Sequence, residues 1–217
     1  MKEMEEMKGE LKTVAKEGKR GRHRFRSCGL IALAIIFALS AFLTWTVAST
    51  GLVQIPLLTN VAFHKSTLDR EVSLGVPFNS ALSEQTIAGQ IHLSEGTLTT
   101  FLQDQLSTRS QNLFESKGAQ ILLTKSDGIE LSLPIRDNEL GSSVLVKFEM
   151  DIQEGVITLN LLNGSLGSWN VPNVLLQGVL APFLTTGTTE LNTLLKDFCT
   201  PTSITHQEGS LILICRT

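Results

Sequence analysis

No short catalytic motif is present in the chain: there is no Gly-x-Ser-x-Gly, no phosphate-cradling glycine loop and no His-Glu-x-x-His. Histidine is scarce, and His23, His64, His92 and His206 fall in no nucleophile or metalloprotease spacing. Cysteine is scarcer still. Cys199 and Cys215 with His206 make only three ligands, whereas zinc takes about four at tight spacing. Glu95 and Asp104 are separated by more than two helical turns, too far for an acid/base pair on one helix, and capping and solvation account for them better. The expectation is a chain that is not an enzyme and holds no metal or cofactor.

Cations are also short where a nucleic acid would need them. Residues 51–217 carry nine Lys/Arg against sixteen Asp/Glu, a net of about −7, while residues 1–50 carry nine against five, about +4. Nucleic acid is therefore an unsuitable partner, because binding it needs clustered cations that displace counterions.

The strongest feature present is Gly29 to Val47, nineteen residues without a charge, which is the length needed to cross about 30 Å of hydrocarbon. Just before it lie Lys19, Arg20, Arg22, Arg24 and Arg26, and no comparable block follows, so the positive-inside bias places the N-terminus in the cytoplasm. Trp45, near the far end, suits an interfacial anchor. A cleaved signal peptide is the competing reading, since Val47-Ala-Ser49 and Ala48-Ser-Thr50 are small-x-small, but the run exceeds the usual apolar length of such signals. The organisation expected is a basic cytoplasmic tail over 1–28, a transmembrane helix over 29–49, a connector over 50–85 and an extracytoplasmic domain over 86–217. The expectation is a single-pass protein of the cell membrane. The basic block either attracts anionic headgroups, at about 1 kcal/mol per cation near the surface, or only sets topology.

Within the connector, a strand is expected near Val61 or Val72. The domain should open with Ile87, Gly89, Ile91 and Leu93 on one side of an alternating run. An amphipathic helix follows, with Leu98, Phe101, Leu102 and Leu106 on one face and Ser94 as its N-cap. Asp127-Gly128 between two β-rich runs predicts a hairpin. Val144, Val146, Phe148, Met150 and Ile152 alternate with mostly polar residues, Glu154-Gly155 turns the chain, and Val156 to Leu162 pairs back. The sum is an antiparallel meander of about four strands, ended by Asn163-Gly164 and Gly167.

After the meander, Pro172 suits the start of a long helix to about Phe198, kinked or broken around Pro182 and the Thr185–Thr189 stretch. Its first half carries Val174, Leu175, Leu176, Val179, Leu180, Phe183 and Leu184, apolar over most of its circumference. Two explanations stand. A curved sheet wraps the helix as ordinary core, or helix and sheet leave a groove for an acyl chain, lined by Leu175, Val179 and Phe183 with Phe101, Val146, Phe148 and Met150. The fold class is α+β in either case. An anchored domain that docks an envelope protein, through an exposed apolar patch and without any small ligand, is the alternative function. A closing hairpin ends the chain. Cys199 and Cys215, on the same side of the membrane, are either a disulfide or two buried thiols.

Leu93-Ser-Glu-Gly-Thr-Leu98 at the start of the first helix and Gly167-Ser-Trp-Asn-Val-Pro172 ahead of the second, with a meander between and a final hairpin, resemble the YpmS-like family of bacterial single-pass membrane proteins. Thr99 stands where that family commonly has Asn, and polar Asn170 follows Trp169. The resemblance implies a tubular lipid-binding type of fold over residues 86–217, a strongly twisted sheet curled around a long helix, and a bacterial cell envelope. It implies no catalytic residues.

Overall fold

The computed structural model describes residues 31–84, 86–87, 89–108, 113–124 and 128–216. The chain divides into two compact units, Met1–Thr46 and Val47–Thr217. Lys19, Arg20, Arg22, Arg24 and Arg26 lie outside the described residues. Helix α1, Ile31–Thr50, has 20 residues and a mean hydropathy of 2.3, with 6% of its apolar window buried. It is long and apolar enough to cross a membrane, a test that a signal sequence also passes. Trp45 is half exposed near its C-terminal end.

The second unit is mixed α/β. Its helices among the described residues are the last turn of α1, then α2 (Leu58–Ala62), α3 (Phe78–Glu84), α4 (Glu95–Ser107) and α5 (Asn173–Lys196). One antiparallel sheet has the order β1-β2-β9-β8, from β1 (Thr86–Ile87), β2 (Gln90–Ser94), β8 (Thr200–Gln207) and β9 (Ser210–Arg216). The other runs in chain order, β3 (Gln120–Leu123), β4 (Gly128–Pro134), β5 (Ser143–Gln153), β6 (Val156–Leu166) and β7 (Trp169–Asn170).

Local chemistry explains most of the second sheet. Glu154 and Gly155 both have positive φ, 52° and 78°, the requirement of a two-residue type I′ turn whose twist matches the strands it joins. Along β5, Val144, Val146 and Phe148 are buried while Lys147, Glu149, Asp151 and Gln153 are exposed. Leu123 pairs with Ile129, so the hairpin expected at Asp127-Gly128 forms, although Asp127 itself is outside the described residues.

The other sheet needed long-range information. The run expected as one strand over 87–93 is two, because the chain turns at Gly89 with φ 78°. Ile91 and Leu93 then pair with Leu213 and Leu211, joining β2 near the start of the unit to β9 at its end. Neither connector strand forms: Val61 is in α2, and Val72 is in no helix or strand. Residues 50–85 nevertheless belong to the folded body, contributing Ala62, Phe78, Ala81 and Leu82 to its buried side chains.

Asn163-Gly164 does not end the meander but lies inside β6. The register jumps there, Phe148 opposing Leu161 and Lys147 opposing Asn163, so Leu162 is an unpaired bulge residue. Gly164 is needed for close approach: a Cβ there would lie 2.8 Å from Leu176 Cδ1 and 2.9 Å from Leu145 O. Helix α5 packs over this strand. Pro172 is its N-cap rather than its first residue, and the helix is unbroken through Pro182 and Thr185–Thr189. Thr186 and Thr189 hydroxyls donate to the carbonyls four residues back, at 2.8 and 2.7 Å, so their polar groups are satisfied within the helix.

Ser94 caps α4 as expected, its hydroxyl accepting from Thr97 N–H at 3.1 Å. Glu95, expected to be solvated, is instead buried. Its Oε1 accepts from Leu123 N–H at 2.7 Å and from the Arg70 guanidinium at 2.6 Å, while its own N–H donates to Gly209 O at 3.1 Å. Burying a carboxylate is tolerable only because these donors replace water. Arg70 is 45% exposed, so its half of the pair is screened. Glu95→Ala should cost about 2–3 kcal/mol by chemical denaturation, chiefly because Leu123 N–H is left unpaired, and Arg70→Ala about 1 kcal/mol or less. Equal losses would mean that the ion pair and not the backbone bond carries the effect.

Cys199 and Cys215 form a disulfide, sixteen residues apart, joining the segment after α5 to the end of β9. By loop-closure entropy it contributes about 3 kcal/mol. The Cys199→Ser/Cys215→Ser double variant should lose about that much, and reduction of the unaltered protein should lower its denaturation midpoint similarly while leaving the double variant unmoved.

Candidate functional site

An apolar groove lies between α4, α5 and the inner face of the second sheet. Leu98, Phe101, Leu102 and Gln105 from α4 form one wall, and Phe183, Leu184, Gly187, Thr188 and Leu191 from α5 the other. Ile121, Ile129, Leu131, Phe148, Met150 and Leu159 make the floor. Each element reaches the groove for a legible reason. Leu98, Phe101 and Leu102 share one helical face at i, i+3 and i+4, and the floor residues alternate along their strands.

The groove's enclosed volume is about 100 Å³. That is below the roughly 150 Å³ of a cavity that takes up benzene and the roughly 300 Å³ at which ligand pockets begin.

Of the residues expected to line a lipid groove, Phe101, Phe148, Met150 and Phe183 are brought together here. Val146 is not: it is fully buried in the core. Leu175 and Val179 are not either, being 53% and 58% exposed on the outer face of α5. The cause is helix rotation. Leu176 and Leu180 face inward, and their preceding neighbours lie about 100° away around the helix. A helix apolar over most of its surface does not announce which of its stripes will be covered.

The sequence reading missed Gly187 and Thr188, which it took as poor helix material. Nothing lies within 4 Å of where a Cβ would stand on Gly187. The hold on α5 is uneven. Leu176 and Leu180 near one end and Leu191 and Leu195 near the other are buried, but no residue from 181 to 190 is. Two asparagines fasten the ends to β6. Asn173 Nδ2 donates to Leu162 O at 3.0 Å, and Asn192 both accepts from Ile157 N–H at 2.8 Å and donates to Ile157 O at 3.0 Å. The stretch over the groove, containing Pro182 and Gly187, is held by half-buried side chains, Phe183 and Leu184 among them, and by no fully buried one.

A second, larger cleft of about 1020 Å³ is polar and lies against β4, the 65–71 segment and the 135–143 loop. Lys65, Arg70, Lys117 and Arg136 share its lining with Glu71, Glu115, Asp137 and Glu139, and no aromatic side chain lines it. Balanced charge without a stacking platform selects no ligand class. Among the described residues, no group of three or more His, Cys, Asp or Glu is placed to hold a metal ion.

No family model and no curated protein matches the chain.

Within the groove floor, the fully buried and the half-buried positions should separate in mutagenesis. Phe148 is fully buried and Met150 partly so. Phe148→Ala should cost about 3–5 kcal/mol and Met150→Ala about 1–2 kcal/mol, measured by denaturant unfolding. A Met150 loss as large as that of Phe148 would mean that Met150 is packed as tightly as Phe148 and not open to the groove.

Proposed function

We propose that the chain is a non-catalytic lipid-binding module of a bacterial cell envelope, anchored through α1 with its N-terminus in the cytoplasm and its folded body on the opposite side. An acyl chain lies in the groove between α4, α5 and the sheet, and it enters by outward movement of the middle of α5. The observation that carries this is the unburied stretch 181–190, spanning an almost wholly apolar groove between two well-fastened helix ends. Because the enclosed space is small, binding has to widen it, and the widening falls where Pro182 and Gly187 weaken the helix. The Cys199–Cys215 disulfide supports an oxidising, extracytoplasmic compartment for the body. The resemblance to the YpmS-like family, whose fold is of the tubular lipid-binding type with a sheet curled around its helix, points the same way.

A protein-docking reading has its own observation. Val174, Leu175 and Val179 form an exposed apolar stripe along the first half of α5. An envelope partner laid on that stripe would need no groove.

Gly187 separates the two. A leucine there has room beside the groove wall and improves helix propensity by about 0.8–1 kcal/mol. The full-length Gly187→Leu variant should fold at least as stably as the parent, yet lose crosslinking to a photoactivatable fatty acid supplied in membranes. A Leu175→Glu/Val179→Glu variant should keep that crosslinking. Retained labelling in Gly187→Leu with loss in the α5-stripe variant would reject the groove in favour of the outer face.

A further inference from the structure

From Gly29 to Phe63 the sequence contains no Asp, Glu, Lys or Arg, so the uncharged run continues well past the end of α1. Its continuation belongs to the folded body, where it is anchored by buried groups. Asn138 Nδ2 donates to Gly51 O at 2.9 Å, and the Phe63 ring is packed against Gly51 and Gly167, where a Cβ would stand 2.3 and 2.8 Å from it. Thr59 and Ala62 face inward from α2.

The residues between them do the opposite. Leu52, Val53, Leu57 and Val61 are exposed large apolar side chains, within fourteen residues of Val47. Leu57 is the extreme case. It is 82% exposed and adopts φ 70°, a left-handed conformation that a bulky non-glycine residue rarely takes. A backbone held in that region at the N-cap of α2 presents outward the most exposed large apolar side chain among the described residues. In water neither the exposure nor the conformation is favourable, and a surface patch of this kind marks a contact.

We propose that Leu52, Val53, Leu57 and Val61 form a collar that seats the body in the interfacial layer of the bilayer from which α1 emerges. The occupant follows from chain continuity. The patch begins a few residues beyond the membrane-crossing run, and it lacks any charge that headgroup water would have to solvate. A protein partner would have to reach this same segment beside the membrane. The collar gives the body a contact with the membrane surface through its own side chains. It rests on the reading of α1 as a membrane anchor and is independent of whether the α4/α5 groove takes a lipid.

Site-directed fluorescence tests it on the full-length chain. With Cys28→Ser and the Cys199–Cys215 disulfide intact, single cysteines at Phe37, Leu57, Val61 and Gln153 carry an environment-sensitive NBD label in phosphatidylcholine vesicles doped with nitroxide-labelled lipid. Phe37 reports the span, and Gln153, exposed at the end of β5, reports the body in water. The expected result is blue-shifted emission quenched by the nitroxide lipid at Phe37, Leu57 and Val61, but not at Gln153. Quenching at Phe37 with Leu57 and Val61 matching Gln153 overturns the collar and leaves the anchor standing. Emission at Phe37 matching Gln153 removes the anchor, and the collar falls with it.

Discussion

The Glu95 carboxylate is the constraint around which the folded body closes. It occupies the first turn of α4, so its backbone directly follows β2 of one sheet while its side chain accepts a hydrogen bond from Leu123 N–H in the other. Arg70 reaches it from the segment before α3, and its own N–H reaches Gly209 in the β8–β9 turn. Four parts of the chain therefore meet at one buried charge. Such a group is costly unless fully paired, which makes it more a determinant of arrangement than a source of stability. The approach around it is close at the backbone level: a Cβ on Gly96 would come within 2.6 Å of Ser73 O, and one on Gly75 within 2.5 Å of Thr97 N. Glycine at both positions lets the 70–75 segment lie directly on the start of α4.

A second arrangement follows from the free edge of β6. An unpaired strand edge invites association, and here α5 lies along it with asparagine side chains at two points standing in for a neighbouring strand. Fastening a helix by its ends has a consequence for its middle. The Leu176/Leu180 and Leu191/Leu195 pairs fix α5 to the core, and the stretch between them spans the groove without burying a residue. Edge protection and an openable apolar groove are thus two results of one packing choice.

The body also continues the apolar character of the helix that leads into it. Charge is absent through Phe63, and four large apolar side chains face outward from a segment held to the body at Gly51 by Asn138 and the Phe63 ring and by inward-facing Thr59 and Ala62. Treating residues 50–85 as a passive connector misses this, because composition shows scattered apolar residues without saying which ones the fold will cover.

What the sequence determined by itself is what depends on neighbours along the chain. The apolar run of α1, the Ser94 cap, the Leu98/Phe101/Leu102 stripe, the β5 alternation and the Glu154-Gly155 turn each express a composition, a period or a dihedral preference within at most about twenty residues. The tertiary structure decided the rest. The pairing of β2 with β9 joins residues more than a hundred positions apart, the burial of Glu95 needs donors from two other segments, and the outward rotation of Leu175 and Val179 was set by which stripe of α5 met β6. A helix that is apolar on most sides carries no local signal for its own orientation, so only the surface it packs against could choose.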